Sequence, residues 1–376
     1  MKKYRVGIIG CGAIFVMHGA SLKAMNNTEV EAVCDIKKEA ADMAGEYLGC
    51  RVYYDYTEML ADPDIDSVHV LTPHHLHHRI AIDAMKAGKH VLVEKPMAIN
   101  EVDAEEMNRV SKVTGKTLGV ISQNRFNAAS KAIKEILETG ELGAILSAKV
   151  VLTWAKPDEY YKNSEWRGTW DKEGGSLLID QAVHVLDQAR WFMDSNVESI
   201  EARLDNRMHP DIETEDTAEG VIRFENGAYM MFFASNCYST NSPVTIEFHC
   251  EGGLIFMEFD TAVISYNNGR ETRISNDPAD SFEYGEFKGF MGEQEMGMAM
   301  EATKSWGLAQ VPMPATWKQP KMYWGFSHIR QIQDFYESIK NNKSPAIDGV
   351  EAIKTQKMIF GIYESSRLNS KIKFLK

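Results

Sequence analysis

The apolar positions of the chain follow two regimes. Tyr4–Ile9 is a compact run rich in Val and Ile, followed at once by Gly10, Cys11 and Gly12 and then by a helical pattern to about Met25. Val30–Cys34 predicts a second strand and Lys37–Leu48 a second helix, and Ser67–Leu71 is a further apolar strand that ends in Thr72 and Pro73. A helix from about Leu76 to Ala87, the strand Val91–Val93, a helix over Glu101–Val113 and the strand Leu118–Ser122 continue the series. Strict alternation over this length calls for parallel pairing through right-handed crossovers, hence an α/β fold with a doubly wound parallel sheet.

Beyond Asn124 the pattern changes. A helix over Ala128–Glu138 stops at Thr139 and Gly140. Strand-like segments then dominate: Ala144–Trp154, Val197–Leu204, Thr217–Phe224, Ala228–Ala234, Val244–Cys250 and Leu254–Phe259, with Glu225-Asn226-Gly227 as the clearest hairpin turn. Two helices, about Trp324–Lys340 and Val350–Leu368, close the chain, and the stretch from about Pro278 to Lys321 has no assignable period. The reading is therefore residues 1–123 as a nucleotide-binding domain and 124–376 as an α+β domain with a large, mostly antiparallel open sheet. A sheet covered on one side leaves a face to hide, so a homo-oligomer, dimer or tetramer, is expected through the C-terminal sheet.

Charge narrows the function. The formal net charge of −13 repels polyanions and anionic lipid surfaces, which argues against nucleic-acid or membrane partners. The apolar N-terminal run is broken by glycines and lacks a small-residue cleavage site, and no other apolar stretch approaches the ~20 residues of a membrane span. The five cysteines (Cys11, Cys34, Cys50, Cys237 and Cys250) are scattered and odd in number, as reduced thiols are, and a cytoplasmic location is expected.

In doubly wound sheets ligands lie beyond the carboxyl ends of the strands, here Gly10–Gly12, Asp35, Thr72–His74, Glu94–Pro96 and Gln123–Arg125. Gly10 and Gly12 would let backbone amides and a helix N-terminus approach a pyrophosphate, although a plain tight turn has the same residues. Asp35 lies 23 residues beyond Gly12, near the ~20 typical of the acid that holds an adenosine ribose, which favours NAD over NADP. LTPHHLHH carries His74, His75, His77 and His78, but no acid or cysteine at ligand spacing accompanies them; helix entry beside a dinucleotide is preferred to a metal site, and none is assigned. Lys95, between Glu94 and Pro96, could steady a developing alkoxide or form a surface salt bridge. Asp180 and His184 stand one helical turn apart, with Asp187 and Trp191 further along the same face; this spacing suits a general base with its orienting acid, or an ordinary helix pair. Tyr160, Tyr161, Trp166 and Trp170 offer flat faces for a sugar ring or for packing.

Taken in order, GIIGCGAI, Asp35, TPHHLH, AGKHVLVEKP, QNRF, WRGTW, EGGSLLIDQAVHVLD and HIRQIQDFYESI resemble the glucose-fructose oxidoreductase / inositol dehydrogenase / rhizopine-catabolism (Gfo/Idh/MocA) family over nearly the whole chain. The resemblance implies a Rossmann domain followed by an α+β domain, and NAD-dependent hydride transfer at a secondary alcohol of a sugar, glycoside, nucleotide sugar or cyclitol. It implies Lys95, Asp180 and His184 as catalytic residues. Gly10, Gly12, Ala13, Ile14, Asp35, Leu71, Thr72, Pro73, His74, His77, Glu94, Lys95 and Asn124 fall to the cofactor, and Lys95, Arg125, Trp166, Arg167, Asp180 and His184 to the substrate. Two departures bear on cofactor contacts: His74 stands where Asn is frequent, and Phe15 replaces the usual third glycine. The alternatives are sugar–sugar oxidoreduction with a tightly held cofactor, or a non-catalytic dinucleotide-binding regulator.

Overall fold

A computed structural model describes residues 3–258, 261–274 and 322–374. They form two compact units, residues 3–123 with 322–353 and residues 124–274 with 354–374. The unassigned stretch Pro278–Lys321 and the end of the Leu254–Phe259 strand lie outside the described residues.

In the first unit, β1 (Tyr4–Ile9), β2 (Thr28–Cys34), β3 (Arg51–Tyr53), β4 (Ser67–Val70), β5 (His90–Val93) and β6 (Leu118–Val120) make one parallel sheet in the order β3-β2-β1-β4-β5-β6. Helices α1 (Phe15–Ala24), α2 (Lys38–Leu48), α4 (His74–Lys86) and α5 (Glu101–Thr114) cross over between strands, with the short α3 (Tyr56–Leu60) between β3 and β4. Strand order reverses between β1 and β4, and a crevice opens there at the carboxyl edge. The central strands β1, β4 and β5 are buried nearly throughout, as a sheet covered on both faces requires.

One boundary differs from the sequence expectation. The helix Met322–Lys340 belongs to the first unit, not to the 124–376 domain. Its Phe335 and Tyr336 join the core of Val6, Ile8, Phe15 and Leu92. Gln331 completes β6 from the side: its amide donates to Val120 O at 2.8 Å and its carbonyl accepts from Ser122 N at 2.9 Å. These contacts join residues more than 200 positions apart, so no local period announces them.

The second unit contains a nine-stranded sheet, order β14-β13-β12-β11-β7-β10-β9-β8-β15, with β7 (Ile145–Thr153), β8 (Val197–Asp205), β9 (Thr217–Phe224), β10 (Tyr229–Ser235), β11 (Thr245–Cys250), β12 (Gly253–Glu258), β13 (Thr261–Tyr266), β14 (Glu271–Ile274) and β15 (Ile372–Lys373). All its pairs are antiparallel except β7 with β10. Helices α6 (Ala128–Glu138) and α8 (Val183–Met193), with the short α7 (Asp158–Lys162) between them in the chain, precede the helix Gly349–Leu368; α6, α8 and that last helix supply Ile133, Ile136, Leu186, Phe192, Met358 and Ile362 to a core with Val150, Ile222, Met230 and Phe248 of the sheet. The other face carries Met231, Lys149, Glu247 and Phe256 in one cross-strand row, with Met231 49% and Phe256 37% exposed. Among the described residues, no helix is long and apolar enough to cross a membrane.

Candidate active site

The first unit supplies a dinucleotide cradle. Gly10 has φ of +100°, and a Cβ there would lie 2.7 Å from the backbone of Leu71, so the close approach of β1's end to β4's end requires glycine. Gly12 differs: a Cβ on it would meet no atom within 4 Å. The fold leaves that space open where a pyrophosphate would lie. Behind it α1 follows its N-cap Ile14 with no side-chain cap and no acid in its first turn; Phe15 N and Met17 N donate to Gly12 O and Ile14 O, and the positive end of the helix dipole faces the turn. Phe15 is fully buried in the core, and even a Cβ on Gly19, one turn on, would meet its ring only at an ordinary contact distance of 3.5 Å. That room accommodates the departure from a third glycine.

Asp35 is tied into this turn. Its Oδ2 accepts from Cys11 N and its Oδ1 from Lys37 N, both at 2.8 Å, and each oxygen retains lone-pair capacity for a ribose hydroxyl. Thr72 Oγ1, at the end of β4, is shielded from solvent with no hydrogen-bond partner among the described residues. These features fit a nicotinamide dinucleotide. Pro73 caps α4 and Leu71 and His74 are buried beside it, while His77 changes role: its Nδ1 meets Pro96 O and its Nε2 meets Thr72 O, both at 2.7 Å. Expected to touch the cofactor, His77 sits between two backbone carbonyls, donates its N–H to one of them, and packs the Lys95 turn against Thr72. Lys95 follows β5, and its backbone N–H donates to Glu94 Oε2 at 3.2 Å. Burial raises the Glu94 pKa, but the hydrogen bond from His18 and the proximity of His328 outweigh it and hold the carboxyl well below its usual range.

A substitution pair separates fold from ligand. Gly12→Val is expected to leave thermal unfolding unchanged while weakening NAD binding roughly 10- to 100-fold, because the added carbons enter only the cofactor's space. Gly10→Ala should instead lower the melting temperature. NAD binding unaffected by Gly12→Val, read by calorimetry, would show that the open space is not the pyrophosphate site.

The second unit holds the other half of the chemistry. The single helix expected to carry Asp180, His184, Asp187 and Trp191 divides: Leu177–Ala182 form a π-helical turn and α8 begins at Val183. Asp180 lies on the wider turn and His184 on the α-helix, both partly buried, so the simple one-turn α-helical relation does not hold between them. Asp180 Oδ2 accepts from Tyr160 OH at 2.6 Å and from Gln181 Nε2 at 2.7 Å, and Asn236 Nδ2 donates to Gln181 Oε1 at 2.9 Å. The Arg167 guanidinium lies 4.5 Å from the Trp166 ring centroid and 4.7 Å from that of Tyr160. Tyr161 is a core residue, with Ser176 and Asn236 donating to its hydroxyl, and offers no face to a sugar.

Arg125 is engaged within the second unit. Its Nε and Nη2 form a buried two-point ion pair with Asp187, at 2.7 and 2.5 Å, and Thr355 Oγ1 adds a third bond to the carboxylate at 2.6 Å. Burial raises the Asp187 pKa, but the Arg125 charge overcomes it and holds the carboxyl low. Arg125, expected to meet substrate, is thus a brace for α8, and Asp187 belongs to that brace. Asn124 Oδ1, by contrast, is shielded and has no hydrogen-bond partner among the described residues.

Sequence spacing gave no sign of the carboxyls behind Asp180. Glu215 Oε1 accepts from Ser176 N, Leu178 N and Tyr363 OH, and a Cβ on Gly175 would collide with that tyrosine hydroxyl at 2.0 Å. Burial pushes the Glu215 pKa up to about 7, and burial with Asp180 nearby pushes Glu173 well above its usual range. A raised carboxyl pKa stabilises the fold fully below the unfolded value, 4.5, and that stability is lost as pH rises through about 7. Glu215→Gln keeps the acceptor oxygen without the charge. Its stability relative to wild type should therefore improve on the order of 3 kcal/mol between pH 4.5 and 8, measured by chemical unfolding; a pH-independent difference would contradict the assignment.

The open Gly12 turn, the uncapped α1 and the strand-end Asp35 define an NAD-binding Rossmann domain, and comparison with known proteins agrees. Residues 4–122 match the oxidoreductase family with an NAD-binding Rossmann fold, and residues 130–256 match the GFO/IDH/MocA C-terminal domain. The chain is 31% identical over 234 residues to 1,5-anhydro-D-fructose reductase of Ensifer adhaerens, covering 60% of this chain and 68% of that protein. The chain belongs to the GFO/IDH/MocA oxidoreductase family. It is 25% identical over 376 residues to D-glucoside 3-dehydrogenase of Escherichia coli (strain K12), covering 98% and 97% of the two chains. The crystal structure of the WlbA dehydrogenase from Bordetella pertussis, in complex with NADH and UDP-GlcNAcA, superposes with a TM-score of 0.80 at 26% identity, covering 100% of this chain and 99% of that one. With other curated relatives the match spans 65% and 66% of their length, just under two thirds.

Proposed function

We propose that this chain is an NAD-dependent oxidoreductase that transfers a hydride between a secondary alcohol of a sugar, glycoside, nucleotide sugar or cyclitol and nicotinamide. The carrying observation is that a chain of this family keeps Lys95 at the carboxyl edge of β5 together with Asp180 and His184 at the head of α8. When bound, NAD supplies the hydride acceptor. His184 takes the hydroxyl proton, Lys95 donates a hydrogen bond to the developing alkoxide, and Asp180, fixed by Tyr160 and Gln181, orients the substrate and the base. Arg167 and Trp166 bind the sugar rim, a charged planar donor set against an aromatic face. The Asp35 carboxylate repels a 2′-phosphate, which makes NAD the cofactor rather than NADP.

The relatives act, by their names, on an anhydrosugar and on glucosides, and this supports a pyranose-like ring as substrate here. The apolar row around Met231 and Phe256 supports pairing with a second copy through the open sheet face, and five free cysteines support a reducing cytoplasm. A panel of glycosides, nucleotide sugars and cyclitols incubated with NAD should produce the absorbance of reduced nicotinamide with at least one class. Silence across the panel with NAD binding intact would favour a regulator of the same fold.

A further inference from the structure

A line of buried polar side chains runs through the first unit from Glu94 to Ser67. His18 Nε2 lies 2.9 Å from Glu94 Oε1, and His18 Nδ1 lies 2.8 Å from His69 Nδ1. His69 Nε2 lies 3.0 Å from Tyr336 OH, which lies 3.0 Å from Ser67 Oγ. His18, His69, Tyr336 and Ser67 are completely buried and Glu94 is 6% exposed. The line draws on α1, β4, the end of β5 and the helix Met322–Lys340, and it passes from the carboxyl edge of the sheet to the first residue of β4. Four such groups in a core are costly unless every one is satisfied.

The proton order along the line follows from the acceptor at its end. An ionised carboxylate only accepts, so His18 must carry its hydrogen on Nε2. A neutral His18 then presents a bare Nδ1, which requires the hydrogen of His69 on Nδ1. That leaves His69 Nε2 bare, to accept from Tyr336, whose oxygen accepts from Ser67. Each bond thus points toward Glu94, and the carboxylate is the single charge on the line. Burial lowers the pKa of both histidines and raises that of Tyr336, as this order requires. The groups that face Glu94 are His18 from α1, His328 from the helix Met322–Lys340 at 3.7 Å, His77 from α4, and Lys95 beside it, whose N–H meets Oε2.

We propose that Ser67, Tyr336, His69 and His18 form a one-way hydrogen-bond chain that fixes the Glu94 carboxylate, and that His18 and Glu94 are thereby positioning residues for the Lys95 turn. The inference rests on the role given to Lys95 above, but its first half is testable without turnover. In ¹⁵N-histidine NMR of the full chain, His18 is expected as the Nε2–H form and His69 as the Nδ1–H form, both neutral from pH 6 to 8. Tyr336→Phe removes only the hydroxyl and should release His69 into a mixture of tautomers. A cationic ring, the reverse tautomers, no response to Tyr336→Phe, or a stoichiometric transition metal bound to the purified protein would overturn the proposal.

The second half is read in kinetics. His18→Leu should lower kcat about tenfold or more with the NAD dissociation constant within about twofold, and His18→Gln, whose amide can donate to Glu94, should recover most of the loss. Equal losses in both variants, or no loss in His18→Leu, would reduce the chain to core packing. If Lys95→Met abolishes turnover while His18→Leu does not affect it, this inference fails and the proposed function stands. A wild-type protein inert toward every sugar, with the tautomers as expected, fails the function and leaves the hydrogen-bond order intact.

Discussion

Lys95→Met should lower kcat by ~10²–10⁴-fold while the NAD dissociation constant stays within about twofold of wild type. The lysine sits where β5 ends, and the backbone of its turn is held from outside its own side chain: Glu94 accepts its N–H, and His77 bridges Pro96 to Thr72. Methionine keeps the length and loses the donor. The cradle for the dinucleotide is built in the same unit from Gly10, Gly12, Asp35 and the start of α1. The loss should therefore appear at saturating NAD, in the chemical step. A wild-type kcat in a folded Lys95→Met protein would remove the lysine from the mechanism and leave the salt-bridge reading of the sequence.

His184→Ala should have a comparable effect, ~10²–10⁴-fold on kcat, through loss of the proton acceptor. The residue is partly buried at the first turn of α8, a helix that packs through Leu186, Phe192 and the Arg125–Asp187 brace. Thermal unfolding should change little, which separates this variant from Asp187→Ala, where a buried guanidinium would lose its partner at a cost of about 3–5 kcal/mol. Initial rates with saturating sugar and NAD, set beside melting curves for both variants, check the contrast. A His184→Ala protein that melts early and regains its rate on stabilisation would make the histidine structural.

The parallel sheet was legible because each strand is a short apolar run punctuated by glycine, acid or proline at its ligand-facing end, and because the Gly10–Gly12 turn separates the short run Tyr4–Ile9 from the longer Phe15–Ala24. The short β3 and α3 were missed: Arg51–Tyr53 has only three residues, too few to show a period. The placement of Met322–Lys340 was missed because Gln331 and Tyr336 find their partners across the whole sequence. Site residues divide in the same way. Gly10, Gly12 and Asp35 carry a spacing that follows from the geometry of one βαβ unit. Arg125 and His77 lie within motifs, but their partners Asp187, Pro96 and Thr72 are set by tertiary structure, so spacing could not show that their polar atoms were already engaged. His69 and Glu215 carry no local signal, and Glu173 and Tyr336 lie inside motifs that give no sign of their burial or partners, since a buried polar residue in a strand or helix reads as an ordinary interruption of an apolar run.

The most direct measurement is the double variant Lys95→Met/His184→Ala beside its two parents, with a turned-over sugar and saturating NAD. Groups that serve one transition state are strongly non-additive, so the double variant should fall no more than a few-fold below the slower single variant. A loss equal to the product of the two single losses would show that the amine and the imidazole act in separate events, and would contradict a shared hydride transfer.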